Sequence, residues 1–469
     1  MAKFLKVFVP SQAVTGVPVP VTVVALKANG RVDTDFAGAV SLRSTDDRAE
    51  LPERYAFFAC EKGRHRFYVT FRTPGIHRVV AESGSVEGQS PPIVVSEGEP
   101  DLKLLWGDLH GHSGEYACGF GTIDGYWTFA RDYACLDFCA LTDHDHLPGH
   151  PLDLSTIWER VKKAAAYYDR PGEFAAFLGY EWTTMRNQSP RHPERFFGQR
   201  HVIYLGHDEP FFGCHTEEAD TPEKLWRCLE GREAIVIPHH TAAPDQWGMD
   251  WDFFNPELER LVEVYSCWGG SEMPREKGNP RPIKAFGGGR KGFVQEGLGR
   301  GYRFGLCAGG DSHDGCPGMT CYQRPLGEAE RRRWDGWLYP GGLHAVWAKG
   351  LTREAIFEAL RARRCYGTTG ARIYVKFKVN GAWMGEEIKV KPGEPRVLEA
   401  EIHGTAPLKA VVVVKNNADT APLPVEGERC VARWVDDSPP QGGDFYYLRV
   451  VQRDGEMAWT SPVWVEVGR

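Results

Sequence analysis

Nowhere in its 469 residues does the chain hold a run of about 18 apolar residues, so no helical membrane span is expected. It also lacks any Cys-x-x-Cys pair. Twelve cysteines lie at irregular spacing, a pattern that speaks for reduced, mostly buried thiols in a cytoplasmic protein and against a disulfide framework. Met1 to Pro10 holds a short apolar stretch but no h-region or cleavage site of signal-peptide type. Positive charge is not in surplus: 56 Lys and Arg face 63 Asp and Glu, a formal net charge of -7. That balance gives no electrostatic reason to expect nucleic acid or an anionic membrane as partner. An anionic small molecule would therefore need a local cationic site, which metal ions can supply.

What is present is a globular composition, 42% hydrophobic and 25% charged, in a chain long enough for roughly two to four domains. Residues 1–100 read as all-β. Lys6–Val9, Val19–Ala25, His65–Phe71 and His77–Ala81 are short, rich in β-branched and aromatic residues, and separated by Gly and Pro. A β-sandwich is the expectation, closed by linker-like composition from Ser90-Pro-Pro92 to Gly98-Glu-Pro100. The pattern returns over 371–469, in Ile373–Val379, Ala410–Val414, Phe445–Val451 and Val463–Val467, and predicts a second sandwich.

The middle, 101–370, alternates short apolar strands with helical stretches. Seven strands are predicted: Leu104–Trp106, Phe138–Leu141, Ala175–Leu178, Val202–Tyr204, Ala234–Ile237, Leu261–Val264 and Phe304–Cys307. Helices are predicted at Gly125–Tyr133, Thr156–Tyr168, Pro222–Glu230 and Arg353–Arg363. Such alternation indicates a mainly parallel sheet, closed into a barrel or left open.

Polar residues fall at the strand ends in a regular way. Asp108-Leu-His110-Gly-His112 follows the first strand and Thr142-Asp143-His144-Asp145-His146 the second. Glu181 ends the third, His201 opens the fourth, Pro238-His239-His240 ends the fifth, and Gly309-Gly310-Asp311-Ser312-His313 follows the seventh. Only His65, His77 and His403 of the sixteen histidines lie outside this middle region. Residues i and i+2 of an extended strand share a side, so His110 with His112, and Asp311 with His313, can reach one ion. Imidazole with carboxylate suits Zn, Mn and Fe(II), and about eight such groups exceed the four to six ligands of one ion, implying two or three. Each element alone has a plain reading: His-x-His by chance, Asp143 as a helix cap, Asp311-Ser-His313 as a turn. Repetition at nearly every strand end is what decides for a metal cluster.

In content and order these residues resemble the motifs of the PHP (polymerase and histidinol phosphatase) superfamily: His110-Gly-His112, Thr142-Asp-His144, Glu181, His201, His239 and Asp311-Ser-His313. Gly107–Ser113, Leu136–His146, Val262–Ser266 with Ser271-Glu272, Arg363–Gly370 and Met457–Trp464 are similar to its DUF3604 branch. The resemblance implies a distorted barrel of seven βα units holding two or three divalent ions (Zn, Mn or Fe), and phosphoester hydrolysis as the commonest chemistry. It would give His110, His112, Glu181 and Asp311 to one ion, Glu181, His201 and His239 to a second, and His144 with His313 to a third. The ligand the family usually has about six residues after His-x-His is missing. Glu115 or Cys118, which stand in that neighbourhood, must substitute, or the third ion is weak or absent.

The leading expectation is a phosphoesterase in which a metal-bridging hydroxide attacks a small phosphorylated substrate. Asp143 and Asp145 are candidates for orienting ligand histidines or shuttling a proton, and His240 for protonating the leaving group. Arg200, Lys291 and Arg372 are candidate phosphate clamps, Thr368-Thr369 a candidate part of the mouth, and Trp182, Trp247, Trp251 and Trp268 candidate pocket walls. Hydrolysis of a carboxyl ester, lactone or amide, and a catalytically inactive binding module, are the alternatives. The flanking sandwiches are candidates for shaping the pocket or building a homo-oligomer.

Overall fold

Alternation of apolar and polar residues makes the first hundred residues a set of small antiparallel sheets closed on a Val- and Phe-rich core. In the computed structural model, which describes residues 2–116, 118–146, 153–184, 197–244, 247–289, 291–320 and 338–468, Pro18–Leu26 pairs with Phe4–Phe8 on one side and Arg64–Thr70 on the other. Ala39–Ser44, Val79–Ser83 and Val86–Gln89 supply the opposing face, and Val21, Val23, Phe67, Val69 and Ile93 fill the space between. The stretch expected to be linker contains one more strand, Ile93–Ser96, paired with Gln12–Val14 and Gly75–His77.

The central region uses strands buried on both faces. β1 (Lys103–Asp108), β2 (Phe138–Leu141), β3 (Ala175–Trp182), β4 (Gln199–Tyr204), β5 (Ala234–His239), β6 (Leu261–Ser266) and β7 (Gly305–Ala308) correspond to the seven predicted strands. Two more, β8 (Leu343–Ala348) and β9 (Cys365–Thr368), join them among the described residues, with the two-residue strand Gly269–Gly270 beside β6. The sheet is mixed, which corrects the expectation of a mainly parallel one. β1, β2 and β3 run parallel, but β4 is antiparallel to both β3 and β5, and β8 to both β1 and β9. The described ladders do not close into a ring: β5-β4-β3-β2-β1-β8-β9 is one open path, and β6 pairs with β7 in a separate sheet. Hydrophobic runs report burial and carry no strand direction, so the polarity was out of reach of the pattern.

Helices cover the sheet where their apolar spacing predicts. Trp158–Tyr168 buries Trp158, Val161, Ala164, Ala165 and Tyr168, a stripe at helical period. Pro222–Leu229 begins with a Thr221 cap and Pro at its first turn, and Arg353–Arg361 with a Thr352 cap.

The C-terminal sandwich is fused to the central sheet. β9 pairs with Met457–Thr460, which continues through Asp444–Gln452 to Leu408–Lys415, so the expected boundary at 371 falls between strands of one sheet. Tyr374–Val379, Arg396–His403 and Arg429–Asp436 form the facing sheet. Glu272, in the loop after β6, fastens this junction: it accepts from Arg449, from Tyr447 Oη at 2.6 Å and from Trp459 Nε1 at 2.7 Å. No helix among the described residues is long and apolar enough to cross a membrane.

In the N-terminal sandwich, Asp46 ties two turns by accepting backbone N–H groups of Arg48, Arg72 and Thr73. Burial opposes its ionisation, but these donors outweigh it and hold the carboxyl at about 2. A carboxyl depressed in the fold stabilises at pH values above its unfolded pKa and loses that contribution as pH falls through its folded value. Asp46→Ala is therefore expected to cost about 1–3 kcal/mol at neutral pH. In denaturant titrations the difference from wild type should shrink as pH drops from about 4 towards 2.

Candidate metal centre

Strand polarity brings the ligand-type residues to one rim. β1, β2 and β3 point their C-terminal ends there, and antiparallel β4 brings its first residues to the same place. Glu181 is thus opposite His201, and Gln199 opposite His239. Short bridges between Gly111 and Ser312, and between His144 and Glu181, carry the ladders on through the motifs.

Three overlapping groups of donor atoms result, each with its atoms within 4.8 Å of one another: His110, His112 and Asp311; His110, Glu181, His201 and His239; and His112, Cys118, His144 and His313. Glu181 Oε2 lies 3.4 Å from His112 Nε2, and its Oε1 lies 3.2 Å from His144 Nδ1 and 3.5 Å from His239 Nε2. Asp311 Oδ1 is 3.3 Å from both His110 Nε2 and His112 Nε2, and 3.1 Å from His313 Nδ1. The eight residues singled out as ligands are all in these groups. Cys118 joins them, whereas Glu115 turns away to accept from Ile123 N and faces Arg160.

The donor set fits divalent cations. Nε2 of His110, His112, His201 and His239 is buried with no hydrogen-bond partner, a costly state for an imidazole unless a cation takes the lone pair. Burial works against ionisation of Glu181, yet His144 and His239 hold it well below the ordinary carboxylate range. Asp311 is lowered the same way by His110 and His313. Asp108 and Glu263, also buried here, are pushed up, Asp108 to about 7, with burial the main cause. Two non-glycine residues of the rim, His240 (φ 41°) and Asp311 (φ 49°), sit in the left-handed region, a strain of about 1–3 kcal/mol each.

The second layer differs from the expectation. Asp143 accepts from Ser113 N at 2.6 Å and Ser113 Oγ at 2.7 Å, bracing the segment after His112. Asp145 accepts the backbone N–H groups of His146, Thr183 and Cys214. Both hold segments that carry ligand-type residues, Asp143 through Ser113 and Asp145 through three backbone N–H groups. The residues that do touch ligand imidazoles were not singled out from the sequence. Glu263 Oε2 lies 2.9 Å from His110 Nδ1, and Thr183 Oγ1 lies 2.8 Å from His144 Nδ1. Glu263 lies in the Val262–Ser266 stretch, but a lone acid in a buried strand carries no spacing signal.

His240 lies beside Asp311, Nε2 to Oδ2 3.5 Å, with Ser266 Oγ 3.5 Å from its Nδ1. Burial, reinforced by His239, pushes this imidazole down to about 3. A ring that is neutral near pH 7 carries one N–H and one lone pair beside Asp311. Trp268 donates to Asp311 Oδ2 and packs near Trp247, whereas Trp182 and Trp251 are spent in the core on Ala219 O and Phe293 O.

Three of the four expected substrate contacts are engaged elsewhere. Arg200 is fully buried, bonded to Glu259 at 2.6 Å and to the carbonyls of Phe197 and Phe253. Strand alternation turns it to the opposite side from His201. Arg372 donates to Ala134 O and Cys135 O and covers the rings of Phe8 and Trp106, fastening the N-terminal sandwich. Thr369 pairs with Glu456 and accepts from Met457 N, and Thr368 accepts from Gly370 N. Lys291 is exposed on a loop that lies against the residue after His240: a Cβ at Gly292 would fall 2.1 Å from Thr241 O.

Comparison with known proteins agrees with the DUF3604 part of the resemblance read from the motifs. Residues 140–263 and 294–391 match the DUF3604 family, described as a protein of unknown function. An uncharacterized protein of Chlamydia pneumoniae is 29% identical over 99% of this chain and 74% of its own length. One of Chlamydia trachomatis is 32% identical over 85% of this chain, which spans 63% of that relative. Among solved structures, a two-domain Bacteroides vulgatus protein containing a predicted PHP-like metal-dependent phosphoesterase aligns with 78% of this chain and 97% of its own, at 15% identity and a TM-score of 0.37.

The placement of Arg200 has a direct consequence. Arg200→Ala leaves Glu259 buried without its partner and is expected to cost about 3–5 kcal/mol of stability. The metal content of the folded fraction should be unchanged. Chemical denaturation together with elemental analysis checks both.

Proposed function

We propose that this chain, which matches DUF3604 through most of its ligand segments, is a metal-dependent hydrolase, and more specifically a phosphoesterase acting on a small phosphorylated substrate. The observation that carries the reading is the set of buried, unpartnered imidazole nitrogens facing Glu181 and Asp311. Hydrolysis by metal-activated water calls for such a cluster. The finer fold reading, a distorted seven-unit barrel, belongs to the same proposal, with β6 lying alongside β5 and β7 alongside β9. So does a cytoplasmic setting, on the irregular cysteine spacing.

In this reading His110, His112, Glu181 and Asp311 hold one ion, and Glu181, His201 and His239 a second. His144, His313 and Cys118 hold a third. Burial raises the Cys118 thiol, but His313 and His144 outweigh it and bring it well below its usual value, so it is poised to bind as thiolate. Zn or Fe(II) suits that sulfur better than Mn does. Bound ions supply Lewis-acid polarisation of a phosphoryl oxygen and activation of water.

The chain's own residues do the rest. Ser113, Asp143 and Thr183 fix the ligand segments, Trp268 orients Asp311, and His240 offers a neutral imidazole as hydrogen-bond partner beside it. Lys291 is the remaining candidate from the sequence for attracting an anionic group. Nothing in the donor set selects phosphorus over carbon, so carboxyl esters, lactones and amides form the second arm of the test.

Purified protein is expected to carry two or three divalent ions per chain and to release phosphate from aryl and sugar phosphates. A chelator should abolish turnover. Glu181→Gln should lower kcat/KM by roughly 10²–10³-fold, the worth of a few kcal/mol of charge stabilisation. Cleavage of carboxyl esters with no phosphate release would move the assignment to carbon. Metal-free, chelator-indifferent protein would end it.

A further inference from the structure

Glu263 belongs to none of the three donor groups, yet it is buried against one of their central members. Its Oε2 lies 2.9 Å from His110 Nδ1, while the other ring nitrogen, Nε2, faces Asp311 Oδ1 at 3.3 Å and Glu181 Oε2 at 3.9 Å. A neutral imidazole carries one N–H and one lone pair. A carboxylate at Nδ1 takes the N–H, which leaves the Nε2 lone pair for the rim. We propose that Glu263 is a positioning residue of the metal centre: it selects the His110 tautomer, locks the ring and supplies a balancing negative charge. This rests on reading the cluster as a metal centre.

The backbone is built around this contact. The β6–β7 ladder slips register between Glu263 and Tyr265, an irregularity of the kind that re-aims a side chain beside a site. Across from it stands Gly309, the residue after β7. A Cβ there would fall 2.4 Å from Glu263 Oε2 and 2.6 Å from His110 Cβ. Gly309 is not among the positive-φ glycines, so it is needed for space and not for backbone conformation. Gly310 does the same for Asp108, whose Oδ2 a Cβ would approach to 2.3 Å. The paired glycines before Asp311 are therefore accounted for by the two carboxylates they admit.

A residue that merely staples the core would have another signature. Without metal, Glu263 lies near Asp108, Glu181 and Asp311, all buried, so an uncharged amide of the same size adds no repulsion there. Glu263→Gln is thus expected to leave the melting temperature of metal-free protein unchanged or raised. Its Zn²⁺ affinity, measured by chelator competition, should weaken about 10–100-fold. The visible spectrum of the Co²⁺-substituted variant should change with it. Gly309→Ala, which displaces the pair without touching its chemistry, should weaken Zn²⁺ binding in the same direction.

Wild-type affinity and spectrum in Glu263→Gln would overturn the proposal. So would a less stable metal-free variant that binds Zn²⁺ normally. Should Glu263→Gln fail to fold, normal Zn²⁺ affinity in Gly309→Ala would overturn it equally. Wild-type protein that binds neither Zn²⁺ nor Co²⁺ would instead defeat the hydrolase reading itself.

Discussion

Desolvation of charge at one rim is the constraint to which the rest of this molecule answers. Asp108, Glu181, Glu263 and Asp311 are buried there together with His110, His112, His201, His239 and His240. An unpaired charge out of water costs several kcal/mol, and like charges close together cost more. The protein meets part of that cost with its own groups: backbone N–H groups on Asp108, Ser113 on Asp143, Trp268 on Asp311, His110 on Glu263. What its own groups leave unmet is a row of imidazole nitrogens without donors, and divalent cations are the species that satisfy them.

This constraint explains the architecture around it. The two strained residues, His240 and Asp311, sit where the chain must leave a strand and turn a side chain inward at once. Gly309 and Gly310 remove side chains where two carboxylates need the space. The all-β ends brace the outside. Arg372 fastens the N-terminal sandwich under β1, and Glu272 with Arg449 fastens the C-terminal one behind β6. Neither set of contacts reaches the donor atoms, so both sandwiches act on the centre through the strands they hold.

The motifs and the ladders agree on which residues meet and differ on how. His110, His112, His144, Glu181, His201, His239, Asp311 and His313 are far apart in sequence and share three overlapping groups in space. Arg200 illustrates the difference. As a cation next to a ligand histidine it invited a substrate role, but adjacent strand residues face opposite ways, and it is bonded to Glu259 instead. Arg372 and Thr369 went the same way, each spent on a junction between domains or strands.

By itself the sequence determined the donor residues, the seven strands that carry them and the β-rich character of both ends. Side-chain chemistry and hydrophobic period are local properties, written in the order of residues. Tertiary structure alone decided strand polarity, the fusion of β9 to the C-terminal sheet, the choice of Cys118 over Glu115, and the engagement of Glu263 with His110. Each of those depends on which distant segment lies alongside, and a buried acid or a strand's direction leaves no period in the chain to read.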